Sequence, residues 1–483
     1  MPRGAHAKTS SGIGTEGGGG LRRGVLGSAD AVAQSLALLA LTFAVTAAPS
    51  TAAATAGAAV PVAYVIAGLG SLCLGSVIAR FGRRIAHAGG LYAYASRGLG
   101  PQLGFLVGWI YAVAFALGIS FVLAISAEFL STVLAASTSW HPGWFPLFCI
   151  ELALILAIAL ADVRVSMRVQ LAVAVVGVLT VVALGLVIVA KGGAQGLSWR
   201  PFDPGEAPSG HGLALAVVLA FTGFIGFEAA AVLGEETAAP RRAIPRAVLG
   251  TVIVATVYFV FVTWAQAVGF GLSGISKWTT DPTALDTLSV RYVGHWFGTL
   301  VDVVVVVDAF VAALAGVHLT ARTLFAMGRD RGLPRFFAAT TPRFGSPWAG
   351  IVLSVALTLV LGATLARHYG VILYFYLMAT TGALGVLLVY VLVAVAGAVY
   401  FWRIRREPGQ GWNPVLDAVF PLAAVAICGY AIYYSVVPLP AAPVGYALWI
   451  ALGVLGAGVV LIVALALTRP DRVRAFGRAF EES

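Results

Sequence analysis

Charge is scarce in this chain. Only 10% of its 483 residues are Asp, Glu, Lys or Arg, against 60% hydrophobic, too few to cover the surface of a water-soluble protein of this size. Polar stretches long enough for a soluble domain are missing as well, because apolar runs follow one another from Ala31 to Leu467 with short punctuation. The three cysteines, Cys73, Cys149 and Cys428, fall inside apolar runs, which excludes a disulfide framework and leaves them as small buried hydrophobes. The seven histidines are scattered, and no cluster of His, Asp or Glu has ligand spacing. A membrane-embedded enzyme therefore has no apparatus to build on, and neither a metal nor a cofactor is expected.

A bilayer-spanning helix needs roughly 20 apolar residues. Twelve such spans are predicted, at 31–57, 60–80, 103–134, 146–161, 170–190, 213–233, 247–270, 298–321, 348–366, 371–402, 415–436 and 444–467. The positive-inside rule tests this count. With the N-terminus in the cytoplasm, 25 of the 30 Lys and Arg residues fall on the cytoplasmic side, and only Lys191, Arg200, Lys277, Arg291 and Arg367 fall outside. A miscounted span would invert every later loop and scramble that split. The expectation is an even number of spans in the cytoplasmic (inner) membrane, with both termini cytoplasmic. This topology also accounts for the net charge of +10 without a nucleic acid partner. Residues 1–29, with the run Gly17 to Gly20, read as a disordered cytoplasmic tail rather than a cleavable signal, and 469–483 as a second cytoplasmic tail.

Span six carries Phe221-Thr222-Gly223-Phe224-Ile225-Gly226-Phe227-Glu228, with two glycines about half-way along it. Glycine weakens a helix and bares its backbone. In lipid, bared backbone is tolerated only beside a protected cavity, as in the broken helices of carriers; the alternative is close packing of two intact helices.

Three segments carry a family resemblance. The first is Ala88-Gly89-Gly90-Leu91-Tyr92-Ala93-Tyr94-Ala95-Ser96-Arg97-Gly98-Leu99-Gly100-Pro101, leading into Gly104-Phe105 and Gly108-Trp109. The second is the span-six stretch, continued by Gly234-Glu235-Glu236-Thr237 and Pro240-Arg241-Arg242-Ala243-Ile244-Pro245-Arg246. The third is Ala321-Arg322-Thr323-Leu324-Phe325-Ala326-Met327-Gly328-Arg329-Asp330, with Gly332-Leu333-Pro334 and Pro342-Arg343-Phe344-Gly345-Ser346-Pro347. In order and spacing the set resembles the amino acid-polyamine-organocation (APC) superfamily of permeases.

That resemblance implies an all-α integral membrane protein with a LeuT-type 5+5 inverted repeat plus two C-terminal helices. The first repeat is expected over 30–190, an extracytoplasmic loop over 191–211, the second repeat over 212–402 and the added pair over 403–468. It further implies that spans one and six are both interrupted. Related permeases usually have Gly or Pro at the span-one break, whereas this chain reads Ser35-Leu36-Ala37-Leu38-Leu39-Ala40-Leu41-Thr42. The interrupted stretch is expected at Ala40, Leu41, Thr42 and Phe43, with Pro49 in the outer half-helix. Together with Phe221, Thr222, Gly223, Phe224 and Gly226 these residues form the expected substrate cradle. Glu228 matches a position where similar transporters often carry a glutamate implicated in proton coupling.

An ionisable side chain inside a span costs a few kcal/mol and is rarely idle. Asp308 lies near mid-membrane in span eight, between Val303 to Val307 and Ala309-Phe310-Val311. Comparable permeases tend to have a small or hydroxyl residue there. Asp308 is read as a candidate for a substrate amine or a proton, or alternatively as a structural partner of His318. Asp302, Glu128 and Glu151 lie nearer the outer ends of their spans and read as solvated or interfacial. With acids but no deep Lys or Arg in the spans, a zwitterionic or cationic substrate fits better than an anion. Its amine can meet Asp308, Glu228 or aromatic faces, and a carboxylate, where present, the N-termini of half-helices.

The expected function is thus a secondary transporter of amino acids or related amines, including polyamine- or ethanolamine-type amines. Span five offers no lysine in place of a coupling cation, and near the inner end of span eight only Thr320 offers a hydroxyl for sodium. Proton symport or exchange is the expected energy source. A channel or a sensor reusing the fold is the rival; a sensor calls for an output domain, for which 469–483 leaves little room. A carrier of the major facilitator type calls for a long central loop, whereas the connection at 235–246 is short.

Overall fold

The computed structural model describes residues 21–161, 163–281, 283–407 and 411–468. Both expected tails lie largely outside them, 1–20 and 469–483. Among the described residues the regular structure is helical apart from one isolated bridge, and nine helices are long and apolar enough to cross a bilayer. Shorter apolar helices at Ser28–Ala44, Trp144–Leu160 and Gly210–Thr222 supply the rest, so the helices fall where the twelve apolar runs fall. Span twelve, Tyr446–Thr468, packs at the periphery with Leu452, Val460 and Leu467 exposed, as suits a helix solvated by lipid.

Span one is interrupted twice. Its inner half, Ser28–Leu39, starts where the Gly27 N–H donates to Asp30 Oδ2 at 2.7 Å and ends at Ala40, whose left-handed backbone (φ 47°, ψ 56°) breaks the helix. A single turn, Leu41–Ala44, follows, and the chain bends again through 45–47 before Ala48–Ala56. The second bend was not anticipated. Its signal is Pro49, which lacks an N–H and so belongs in the first turn of a new helix rather than within a continuing one.

Span six likewise stops at Thr222, passes through turns over 223–228 and resumes as a short 3₁₀ segment, Ala229–Leu233. Gly226 is required where it stands. Its φ is 114°, and a Cβ there would meet Leu38 Cγ at 3.0 Å and the Leu38 backbone at 3.2 Å. The two breaks therefore touch, backbone against backbone. Spans five, seven and eight pack around them.

On the side of the arginine-rich loops the bundle is sealed by ion pairs. The Arg329 guanidinium donates to both Glu235 oxygens at 2.6 and 2.8 Å, and the Ala88 N–H adds a third bond to Glu235. Burial alone would push the Glu235 carboxyl up, but Arg329, His87 and that N–H together hold it below the usual glutamate range. The clamp is therefore complete at neutral pH, and its stabilising contribution is lost as the pH falls through the depressed value. Beneath it, Arg322 donates to Glu236 at 2.5 and 3.2 Å with both side chains almost fully buried. Arg322 is thus no loop residue but an interior one, in a span expected to hold no deep arginine. The expected tail also ends sooner than residue 29: Leu26 is 1% exposed and bridges to Thr237, exchanging backbone bonds with Glu236 and Ala238 at 2.9 Å.

Two stability predictions follow from these contacts. Glu236→Gln leaves Arg322 buried without its counter-charge and is expected to cost about 3 kcal/mol, read as a lowered unfolding temperature in detergent; adding Arg322→Met should recover much of the loss. An unchanged unfolding temperature in the single variant counts against the pair. Gly226→Ala is expected to cost on the order of 1–3 kcal/mol through backbone strain, while Gly250→Ala, where a Cβ meets nothing within 4 Å, serves as the control that should not destabilise.

Candidate functional site

Where the two breaks meet, the structure holds a cavity of about 390 Å³, a size suited to a small organic molecule. Its floor is Leu39, Ala40, Thr222 and Gly223, and it extends away from the sealed side toward Thr51, Val218 and Ser435. The segments on the other side of the breaks are packed solid, with Ala33, Ala37, Ala230 and Leu233 at 0% exposure. The cavity thus lies across the breaks from these buried segments.

Of the residues expected to bind substrate, Ala40, Phe43, Thr222 and Gly223 line this cavity. Leu41, Thr42, Phe221, Phe224, Gly226 and Asp308 do not, nor does Glu228, the residue expected to couple protons. Phe221 and Phe224 lie on the far face of span six: Phe221 approaches Gly70 of span two, and Phe224 meets Phe259 of span seven edge-on with ring centroids 5.1 Å apart. Spans three, eight and ten supply residues the sequence did not single out. Phe375 packs edge-on against both Phe43 (6.3 Å) and Phe121 (5.3 Å), so that three spans close an aromatic wall. Gly118 and Gly316 also line the cavity. The signal for them was small residues in mid-span, which sequence alone does not distinguish from helix packing.

Asp308 is buried to 1% exposure behind the break. Its Oδ2 accepts from the backbone N–H groups of Thr42 (2.9 Å) and Phe43 (3.0 Å), two of the donors freed when the helix broke at Ala40. Its Oδ1 has no hydrogen-bond partner, nor has the buried Thr42 hydroxyl, which faces Gly177 of span five. His318 is not its partner. That imidazole is two to three turns further along the same helix, where Nδ1 meets Arg322 at 3.1 Å and Nε2 meets Ser166 at 3.0 Å.

Glu228 does the corresponding work at the second break. Oε1 accepts from the Tyr111 hydroxyl at 2.9 Å, and Oε2 from the Tyr390 hydroxyl at 2.6 Å and the Gly226 N–H at 3.1 Å. The carboxyl therefore ties the break to spans three and ten. A further freed donor, the Ala230 N–H, is met by the Ser35 hydroxyl of span one at 2.9 Å. Glu151, expected to be solvated or interfacial, is 5% exposed and held by Ser126 at 3.1 Å, because spans three and four close over it. Among the described residues no group of three or more His, Cys, Asp or Glu could hold a metal ion.

Two interrupted helices meeting at a cavity sealed on one side is the geometry of a carrier. The comparisons agree. The family model for amino acid permeases matches residues 28–464. The chain is similar to the low-affinity putrescine importer PlaP of Escherichia coli (strain K12), 28% identical over 381 residues, which cover 77% of this chain and 78% of that one. It is similar to the methylthioribose transporter of Bacillus subtilis (strain 168), 25% identical over 413 residues, 82% and 84% of the two chains. The branched-chain amino acid permease BcaP of the same organism is 24% identical over 393 residues, 76% and 80%. With a match that takes in every one of the twelve spans, the chain belongs to the amino acid permease family.

Proposed function

We propose that this chain is a secondary transporter of the cytoplasmic membrane that moves an amino acid or a related amine by alternating access, driven by protons or by exchange. The observation that carries the reading is the cavity at the meeting point of the two breaks, with Ala40, Phe43, Thr222 and Gly223 in its lining. The names of the relatives, which include a putrescine importer and a branched-chain amino acid permease, support the substrate class. The proposed repeats are 30–190 and 212–402, with spans one and six as the interrupted pair. Alternating access in this scheme closes the aromatic wall over bound substrate and parts the Glu235–Arg329 and Glu236–Arg322 pairs on the other side.

Glu228 is the proposed proton-coupling group. As a carboxylate it accepts three hydrogen bonds at once. Protonation turns one oxygen into a donor, so the tyrosine hydroxyl on that oxygen must turn round to accept or give up the contact. Either change alters how the break is held to span three or span ten, which is the kind of change that links a proton to the opening of a path.

The test is uptake into proteoliposomes from a panel of amino acids and amines under an imposed pH gradient. Saturable, gradient-stimulated uptake is expected, with the stimulation lost in Glu228→Gln while substrate exchange persists. Gradient-stimulated uptake that survives the substitution removes Glu228 from the coupling, and no uptake or exchange of any compound favours a sensor on the same fold.

Both termini are proposed to be cytoplasmic, on the distribution of Lys and Arg. An impermeant thiol reagent should therefore label His211→Cys in intact cells and Arg406→Cys only after permeabilisation, both positions being exposed. The reverse pattern would invert the topology.

A further inference from the structure

Helix ends give the cavity an electrostatic sign. Two helices point their C-termini at it: Ser28–Leu39, whose Leu38 and Leu39 line it, and Gly210–Thr222, whose Thr222 lines it. Each end carries the equivalent of roughly half a negative charge. The complementary positive features, the N–H groups freed at the breaks, are where a substrate carboxylate would dock, and here the chain fills them itself. Asp308 takes those of Thr42 and Phe43, Glu228 takes that of Gly226, and Ser35 takes that of Ala230. Another helix start on the cavity, Ala48–Ala56, has Pro49 in place of one donor in its first turn and the Thr51 N–H spent on the Ala47 carbonyl, so that of this turn only the Ala48 and Ser50 N–H groups remain. No Lys, Arg or His is among the residues that line the cavity, and no Asp or Glu either.

A carboxylate entering this space would meet two negative helix ends, no cation, and at the breaks the Thr42, Phe43, Gly226 and Ala230 N–H groups already spent. An ammonium group would meet the carbonyl ends of two helices and the aromatic rings of Phe43, Phe115 and Phe375. A second ammonium would find no acidic side chain in the lining to balance it. Resting on the transporter reading above, we infer that the substrate is an apolar monoamine cation without a carboxylate, and that Asp308 sets this selectivity by occupying the two N–H groups at the span-one break. Asp308 acts here as a positioning residue rather than as a wall of the cavity.

Matched pairs test it, each an amine and the amino acid that differs by one carboxylate: isobutylamine with valine, and phenethylamine with phenylalanine. Putrescine is the doubly charged arm. Binding to the purified protein is read by the ligand-induced rise in unfolding temperature and by competition. The expected result is that each amine binds at least about tenfold more tightly than its amino acid, since the buried carboxylate has no partner, and that putrescine binds more weakly than the monoamines. Asp308→Ala frees both N–H groups and should shift the ratio toward the amino acid; Asp308→Asn keeps a carbonyl acceptor on them and should keep the amine preference. Where Asp308→Ala does not fold, the wild-type ratios decide alone. Equal or tighter binding of the amino acids, tighter binding of putrescine, no binding of either member of both pairs, or a folded Asp308→Ala with an unchanged ratio each overturns the inference. None of these touches the transporter reading, which fails only if the proteoliposomes take up and exchange nothing.

Discussion

Inside a bilayer a backbone N–H has no water to turn to, and this constraint organises the centre of the molecule. A helix satisfies it automatically until the helix is broken. The chain breaks two helices side by side and then meets the freed donors with its own side chains: Asp308 from span eight, Glu228 from within the second break, and Ser35 from the facing helix. Asp308 and Ser35 thereby tie span one to spans eight and six. The cavity exists because the breaks exist, and the breaks are tolerable because they are capped.

The caps also fix what moves with what. Glu228 holds its break to Tyr111 of span three and Tyr390 of span ten, and Gly226 lies directly on the Leu38 backbone of span one. A displacement of either broken span is thus felt by the other and by the two spans that wall the cavity. On the sealed side the connections are ionic. Buried or half-buried pairs such as Arg322–Glu236 and Arg329–Glu235 are well suited to a joint that must be firm when closed and separable when water enters, because hydration lowers the cost of parting two charges.

Much of this was legible in the sequence because lipid imposes coarse, periodic demands. Twelve apolar runs, a strongly uneven distribution of arginine and the Gly223 and Gly226 pair were enough to place the spans and the second break. Ala40 was within reach by analogy with span six, although an alanine with positive φ is not something sequence announces. The rest depended on which face of a helix meets which neighbour. Phe221 and Phe224 stand next to the break in sequence yet point to spans two and seven, while Phe375, some 150 positions away, closes the cavity. Asp308 was read as a candidate for a substrate amine or a proton, or as a partner of His318, but its hydrogen-bond partners are backbone amides 265 and 266 positions distant, and a backbone amide leaves no mark in a sequence.

That separation has a consequence in time. Translation adds residues at about 5–20 per second, so Thr42 and Phe43 precede Asp308, 266 positions later, by roughly 13 to 53 seconds at that pace. Throughout this interval the carboxylate that caps their N–H groups in the finished structure has yet to be made. The cap on the left-handed turn at Ala40 is therefore completed only when span eight arrives. The central feature of the transporter is in this sense assembled from the far end of the chain.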